Sequence, residues 1–185
     1  MSVKRICLGL TLITLVGIPA RAQAEDDYDR SGYYLGVGLG LGVEQFENAG
    51  GLNIDTGVGF DLWGGYRFTP NLAAEIQLQY LDRFDFSRDG NDFGVRVLAF
   101  TWNLKCYLET GWVQPFFLVG IGSLRAEVEA IGASATDFAA RFGGGIDFYS
   151  WSNTSLGVAA SYVVATGDVA GFDYVSLVLG VQHRF

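Results

Sequence analysis

The feature that most constrains this chain is a period of two that changes side-chain character almost completely between odd and even positions. In residues 32–43 the odd positions Tyr33, Leu35, Val37, Leu39, Leu41 and Val43 are large and apolar, while the even positions after Tyr34 are Gly36, Gly38, Gly40 and Gly42. Such alternation marks a strand with two unlike faces and excludes an amphipathic helix. The split recurs in residues 71–80, where Leu72, Ala74, Ile76, Leu78 and Tyr80 oppose Ala73, Glu75, Gln77 and Gln79. At the C-terminus Val175, Leu177, Leu179 and Val181 oppose Ser176, Val178, Gly180 and Gln182. Leu98, Phe100, Trp102, Leu104, Cys106 and Leu108 oppose Ala99, Thr101, Asn103 and Lys105, and Phe138, Phe142, Ile146 and Phe148 oppose Asp137, Arg141, Gly143, Gly145 and Asp147.

Carried along the chain, this reading gives eight strands, over residues 32–43, 56–68, 71–83, 92–108, 113–125, 136–149, 154–166 and 173–185. Several exceed the roughly 5 to 6 residues usual in soluble sheets and suit the roughly 9 to 11 of a tilted membrane strand. Tight turns at Thr69-Pro70-Asn71, Glu109 to Trp112 and Ser150 to Asn153 alternate with longer loops at Glu44 to Asp55, Phe84 to Asn91, Ala126 to Ala135 and Gly167 to Phe172. An even strand count with short turns on one rim and longer loops on the other predicts an eight-stranded antiparallel up-and-down transmembrane β-barrel, all-β. A soluble sandwich would turn the apolar face inward and leave an outer face of glycine with a few charges. The barrel puts that face in lipid instead and fills a narrow lumen with Gly, Gln and paired charges. Aromatics near the short turns, at Tyr66, Phe68, Tyr107, Trp112, Phe148, Tyr149, Trp151 and Phe185, are read as an interfacial girdle.

Composition agrees once the pattern is known. Mean hydropathy is +0.26, yet beyond residue 20 no apolar run reaches the roughly 18 residues of a spanning helix, which excludes a helical bundle. With 17% charged residues and many aromatics the chain has ample apolar surface to offset the entropy of ordering. Its 26 glycines are about twice the usual share of roughly 7%, with no collagen period.

Residues 1–24 read as a cleaved signal peptide. Lys4 and Arg5 precede an apolar stretch from Ile6 to Ile18, and Ala22-Gln23-Ala24 fits the small-x-small cleavage pattern, so the mature domain spans residues 25–185. That domain keeps 9 basic and 20 acidic residues, a charge near −11, which argues against nucleic acid as a partner. Cys7 leaves with the leader, so Cys106 has no intramolecular disulfide partner.

Several stretches together resemble the small OmpA-type and OmpX-type outer-membrane β-barrel domains, the porin-like or opacity-type family. They are the leader, the opening Gly-Tyr-Tyr-Leu-Gly-Val-Gly-Leu-Gly, Gly65-Tyr66-Arg67-Phe68-x-x-Asn71-Leu72-x-x-Glu75, Gln114-Pro115-Phe116-x-x-x-Gly120-x-Gly122 and the terminal Val181-Gln182-His183-Arg184-Phe185. The resemblance covers residues 25–185 and implies the outer membrane of a Gram-negative-type bacterium. It also implies that Leu177, Leu179, Val181 and Phe185 form the C-terminal signal read by the outer-membrane assembly machinery. His183 stands where an apolar residue or Tyr is commoner. The anchoring role of relatives carrying a peptidoglycan-binding domain is not expected.

The candidate chemistry lies in the lumen. Parity turns Asp61, Arg67, Glu75, Lys105, Arg141, Asp147 and Arg184 inward, and buried charges must pair. A ladder linking Glu75 and Asp147 to Arg67, Lys105 or Arg141 is expected, narrowed further by Phe116 and Leu118. No catalytic residue is assigned, because the mature chain's single His183 has no Ser at a neighbouring same-face position. Nor is a metal site or cofactor: Asp85-x-Ser87-x-Asp89-Gly90 opens like a calcium loop, but Arg96 stands where the closing Glu belongs. The expectation is a non-enzymatic, monomeric barrel with a structural and surface-interaction role in the cell envelope, in contact with outer-membrane lipid and lipopolysaccharide. The alternatives are a narrow pore for ions or small solutes and a soluble ligand-binding barrel.

Overall fold

The computed structural model describes residues 28, 31–44, 56–88, 91–128, 133–151, 153–167 and 173–185. The leader read at residues 1–24, most of the Glu44 to Asp55 loop and the Asp89-Gly90 tip lie outside the described residues. Eight strands follow in order: β1 (Gly32–Glu44), β2 (Thr56–Thr69), β3 (Leu72–Arg88), β4 (Asn91–Tyr107), β5 (Val113–Val128), β6 (Ala133–Trp151), β7 (Thr154–Ala165) and β8 (Tyr174–Arg184). Each pairs antiparallel with the next, and β8 pairs back onto β1, so the sheet is a closed barrel. Closure satisfies every strand edge, which hydrocarbon requires because it offers no water to an open one.

The parity read from the sequence sets which side chains go where. Leu39 is 70% exposed and Trp102 58% on the outer wall, while Arg67 and Arg141 inside are 1% and 2% exposed. This reverses the distribution of a water-soluble barrel, and the outer belt of Leu, Val, Ile and Phe on all eight strands has its natural surroundings in a lipid bilayer.

Two expectations need correction. The stretches Phe84 to Asn91 and Ala126 to Ala135 are not simple loops. The β3–β4 ladder continues from Phe84 opposite Val95 to Arg88 opposite Asn91, and the β5–β6 ladder runs to Val128 opposite Ala133. At 17, 17 and 19 residues, β3, β4 and β6 exceed the roughly 9 to 11 needed to cross the bilayer. They therefore continue as hairpins beyond it, where turn-forming residues such as Asp89, Gly90 and Asn91 suggest a loop. Tyr107 and Tyr149 are not girdle residues either, being buried at 3% and 5% exposure. Tyr107 shares parity with Lys105 and Tyr149 with Asp147, and pleating overrides residue type. Tyr66, Phe68, Trp112, Phe148, Trp151 and Phe185 remain on the outer wall.

Inside, the filling is layered. Next to the short turns lie Tyr34, Ala73, Tyr107, Phe116 and Leu118, and toward the longer hairpins an apolar layer of Leu81, Val97, Leu124, Ala139 and Val163 is fully buried with Tyr174. Between them sit Asp61, Gln77, Gln79, Thr101, Arg141 and Ser176. Glycine makes room for this packing. Trp63 faces Gly36 across the β1–β2 pair, its indole lies against both Gly36 and Gly180, and a methyl group at either glycine would overlap the ring.

Candidate functional site

The candidate site is the polar middle of the lumen, built from residues of like parity on neighbouring strands. β4 and β6 point Lys105 and Asp147 at each other across β5, where the register places Leu118 opposite both Lys105 and Gly143. Their ion pair closes at 2.9 Å with both side chains almost wholly buried. The Tyr107 hydroxyl also donates to Asp147, at 3.3 Å, and the Lys105 ammonium stands 3.8 Å from the centre of the Phe116 ring. In so apolar a setting each of these contacts helps offset the desolvation of the pair.

The other lumen charges do not form the expected ladder. Among the described residues Lys105–Asp147 is the lumen's direct ion pair. Glu75 accepts from the Tyr34 hydroxyl at 3.2 Å. Asp61 accepts from the amides of Gln77 at 2.6 Å and Gln79 at 3.0 Å, and Arg141 donates to the carbonyl of Gln79 at 2.7 Å. Gln79 therefore stands between Asp61 and Arg141, giving its NH₂ to the carboxylate and to Ser176 and its oxygen to Arg141 and to the Tyr174 hydroxyl. A glutamine can do this because it carries donor and acceptor on one planar group. Arg67 goes elsewhere, to the carbonyl of Pro70 and to Gln114 Oε1 at 2.8 Å, with its guanidinium 4.0 Å from the Tyr107 ring centre. Arg184 lies at the same rim, its guanidinium 4.9 Å from the ring centre of Tyr149.

Sequence reasoning thus placed the charged residues on one face but missed their connectors, Gln77 and Gln79, and the aromatic filler Trp63, whose Nε1 donates to Gln182 Oε1 at 3.1 Å. The signal was present, since all share parity with the charges on their strands. A cavity of about 40 Å³ is bordered by Trp63, Lys105, Arg141 and Asp147, room for two or three waters at roughly 10 to 15 Å³ each.

The other residues of interest lie apart. His183 sits on the outer rim, its Nδ1 3.0 Å from the Thr154 hydroxyl and its ring 5.2 Å from that of Phe185. Leu177, Leu179, Val181 and Phe185 line the outer face of β8. Cys106 is exposed on the lipid side. Among the described residues no group of three or more His, Cys, Asp or Glu is close enough to hold a metal.

Comparison with known proteins supplies context. The family described as "Outer membrane protein beta-barrel domain" matches residues 8–185. No curated protein sequence matches the chain. Among solved structures, Neisserial surface protein A is 16% identical with a TM-score of 0.67, covering 84% of this chain and 99% of its own. Ail, the attachment invasion locus protein of Yersinia pestis, in complex with the heparin analogue sucrose octasulfate, is 16% identical with a TM-score of 0.59 over the same shares. The outer membrane protein OprG from Pseudomonas aeruginosa is 14% identical with a TM-score of 0.56, covering 83% of this chain and 96% of its own.

Proposed function

From the premise that the chain belongs to the outer membrane protein beta-barrel domain family, we propose that it is a non-enzymatic, closed barrel with a structural and surface-interaction role in the envelope. The observation that carries this reading is the apolar layer of Leu81, Val97, Leu124 and Val163, all at 0% exposure, lying between the charged middle of the lumen and the long hairpins. An ion entering that layer would lose its hydration and gain no compensating ligand, and apolar constrictions of this kind stop conduction by dewetting. Below it, the Lys105–Asp147 pair and the Gln79 connector occupy the centre. The charges are thereby engaged with one another and serve to hold the strands together.

The narrow-pore alternative draws on the same inward charges, four cations and three carboxylates. Planar-bilayer recording of the purified protein separates the two. The closed reading expects a silent bilayer, and steady, resolvable openings would overturn it in favour of the pore.

The rest of the reading follows from position. His183 meets Thr154 and Phe185 at a lipid-facing rim, an arrangement suited to the interfacial belt and, among the described residues, without an acid hydrogen-bonded to the imidazole. Residues 1–24 serve as the export signal, and Leu177, Leu179, Val181 and Phe185 as the address read during assembly. Lipid and lipopolysaccharide are the standing partners of a monomeric barrel. Surface contacts fall to the long hairpins and loops, whose sequences over residues 44–55, 84–91, 126–135 and 167–172 carry eight acidic residues against the single basic Arg88. This differs from what a sulfated ligand such as the one held by Ail would require.

A further inference from the structure

We propose that the outer wall of β1 to β4 carries a seat for one acyl chain of a phospholipid from the leaflet on the short-turn side of the membrane. The lipid-facing belt is uneven there. Gly64 of β2 lies opposite Ile76 of β3 and Ala74 opposite Tyr66, so Gly64 and Ala74 are diagonal neighbours on the outer face and make a low floor. Tall side chains stand around it. The rings of Tyr33 and Tyr66 meet edge to face with centroids 4.7 Å apart, and Phe68 braces Tyr66 at 5.2 Å. On the other side Trp102 of β4 stands opposite Ile76, with Phe100 against it at 6.2 Å. The result is a groove of about 430 Å³ bordered by Tyr33, Gly64, Tyr66, Ala74, Ile76 and Trp102, within the roughly 300 to 1,000 Å³ of ligand pockets in general.

Depth and shape choose the occupant. Gly64 is five residues from Thr69, where β2 ends, which at about 3.4 Å per residue and a tilt of about 40° puts the floor roughly 13 Å from the short-turn rim. That is the near half of an apolar band about 25 Å tall, and short turns mark the periplasmic side of such barrels. A lipid whose headgroup lies at the Thr69-Pro70-Asn71 turn therefore has its chain at the level of the groove. Hydrophobicity does not drive the contact, because the surrounding lipid is as apolar as the wall. Packing does: a chain that skirts the groove leaves a gap whose walls lose their dispersion contacts, and a chain that follows it recovers them. A flexible, unbranched chain can follow a floor hemmed in by braced rings, whereas the convex wall of a second barrel reaches it only with single side chains. The seat rests on the lipid-facing placement of the outer wall and is independent of whether the lumen is closed.

The test uses the protein purified from outer membranes in mild detergent and weighed intact by native mass spectrometry, with dipalmitoyl phosphatidylethanolamine as the added probe. The parent should retain one phospholipid after the others are stripped. Ala74→Phe fills the groove and should lower the retained fraction about tenfold, as the loss of roughly ten carbon–carbon contacts would. Trp102→Ala removes one side of the groove and should also weaken retention, which covers the case in which Ala74→Phe does not fold; the difference in gel mobility between unheated and boiled samples reports folding. Val158→Phe, on the outer face of β7, should retain the lipid like the parent. Retention should be equal for phosphatidylglycerol with the same chains and lost with dihexanoyl chains. A parent that holds no lipid would overturn the proposal, as would retention unchanged in both groove variants or one that follows the headgroup instead of the chain. A mass of two chains without lipid would assign the groove to a second copy and overturn it too. Conductance through the lumen bears on the closed-barrel reading and leaves this test unaffected.

Discussion

A methyl group added at Gly36 tests whether the glycine-rich face of β1 exists to seat a particular aromatic side chain. Trp63 lies directly opposite Gly36 in the β1–β2 register, and its ring spans from Gly36 to Gly180 on β8, with no room for a Cβ at either end. In Gly36→Ala the indole must move, and Gly180 blocks its escape along the wall. Overpacking of this kind costs about 1 to 3 kcal/mol, and displacing the ring also breaks the Trp63–Gln182 hydrogen bond, worth about 1 kcal/mol. A loss of about 2 to 4 kcal/mol is expected. Urea unfolding of the barrel in lipid vesicles measures it. Fluorescence adds a local report, because Trp102, Trp112 and Trp151 face outward and Trp63 is the lumen tryptophan. Gly64→Ala is the control: Gly64 faces outward with its nearest contact, Leu35 Cδ1, at 3.3 Å from the new carbon, so its effect should stay within about 0.5 kcal/mol. Trp63→Leu should suppress the Gly36→Ala defect, with a coupling of about 1 to 3 kcal/mol in the double-mutant cycle. The reasoning fails if Gly36→Ala is as mild as Gly64→Ala, or if the two lumen substitutions simply add.

Other substitutions probe other layers. Asp147→Asn leaves the Lys105 ammonium buried without its carboxylate and should cost about 3 to 5 kcal/mol in the same unfolding assay, whereas Lys105→Met combined with Asp147→Leu should cost less than Asp147→Asn alone. Leu39→Arg puts a charge on the middle of the lipid-facing wall, where about 2 to 4 kcal/mol of destabilisation is expected, and an unchanged urea midpoint would place that wall outside the bilayer. Phe185→Ser should lower the amount of heat-modifiable barrel recovered from outer membranes while leaving refolding from urea into detergent intact; equal yields of assembled protein would remove the terminal aromatic from the assembly signal. Immobilised heparin should retain the protein no better than a neutral matrix at low ionic strength, since residues 25–185 carry a charge near −11, and salt-sensitive retention would contradict that account.

The strand count and the division of residues between lipid and lumen were legible in the sequence because both rest on a strictly local rule. Successive side chains on a strand point to opposite faces, so once Leu35, Val37 and Leu39 are outside, Gly36, Gly38 and Gly40 must be inside, with no knowledge of any partner. The same rule already held Tyr107 and Tyr149 in the lumen; reading them as girdle aromatics gave residue type more weight than parity. The outer ends of β3, β4, β5 and β6 looked like loops because turn-forming residues such as Asp89, Gly90 and Gly132 stand between them. What no local rule supplies is which inward residues meet. Whether Arg141 reaches Asp61 directly or through Gln79, whether Lys105 takes Asp147 or Glu75, and which side chain fills the space left by Gly36 depend on the stagger between strands and on closure of β8 onto β1. The tertiary structure decided those contacts, because in a narrow barrel residues 62 or 95 positions apart, such as Gln79 with Arg141 and with Tyr174, become neighbours only when the circle is complete.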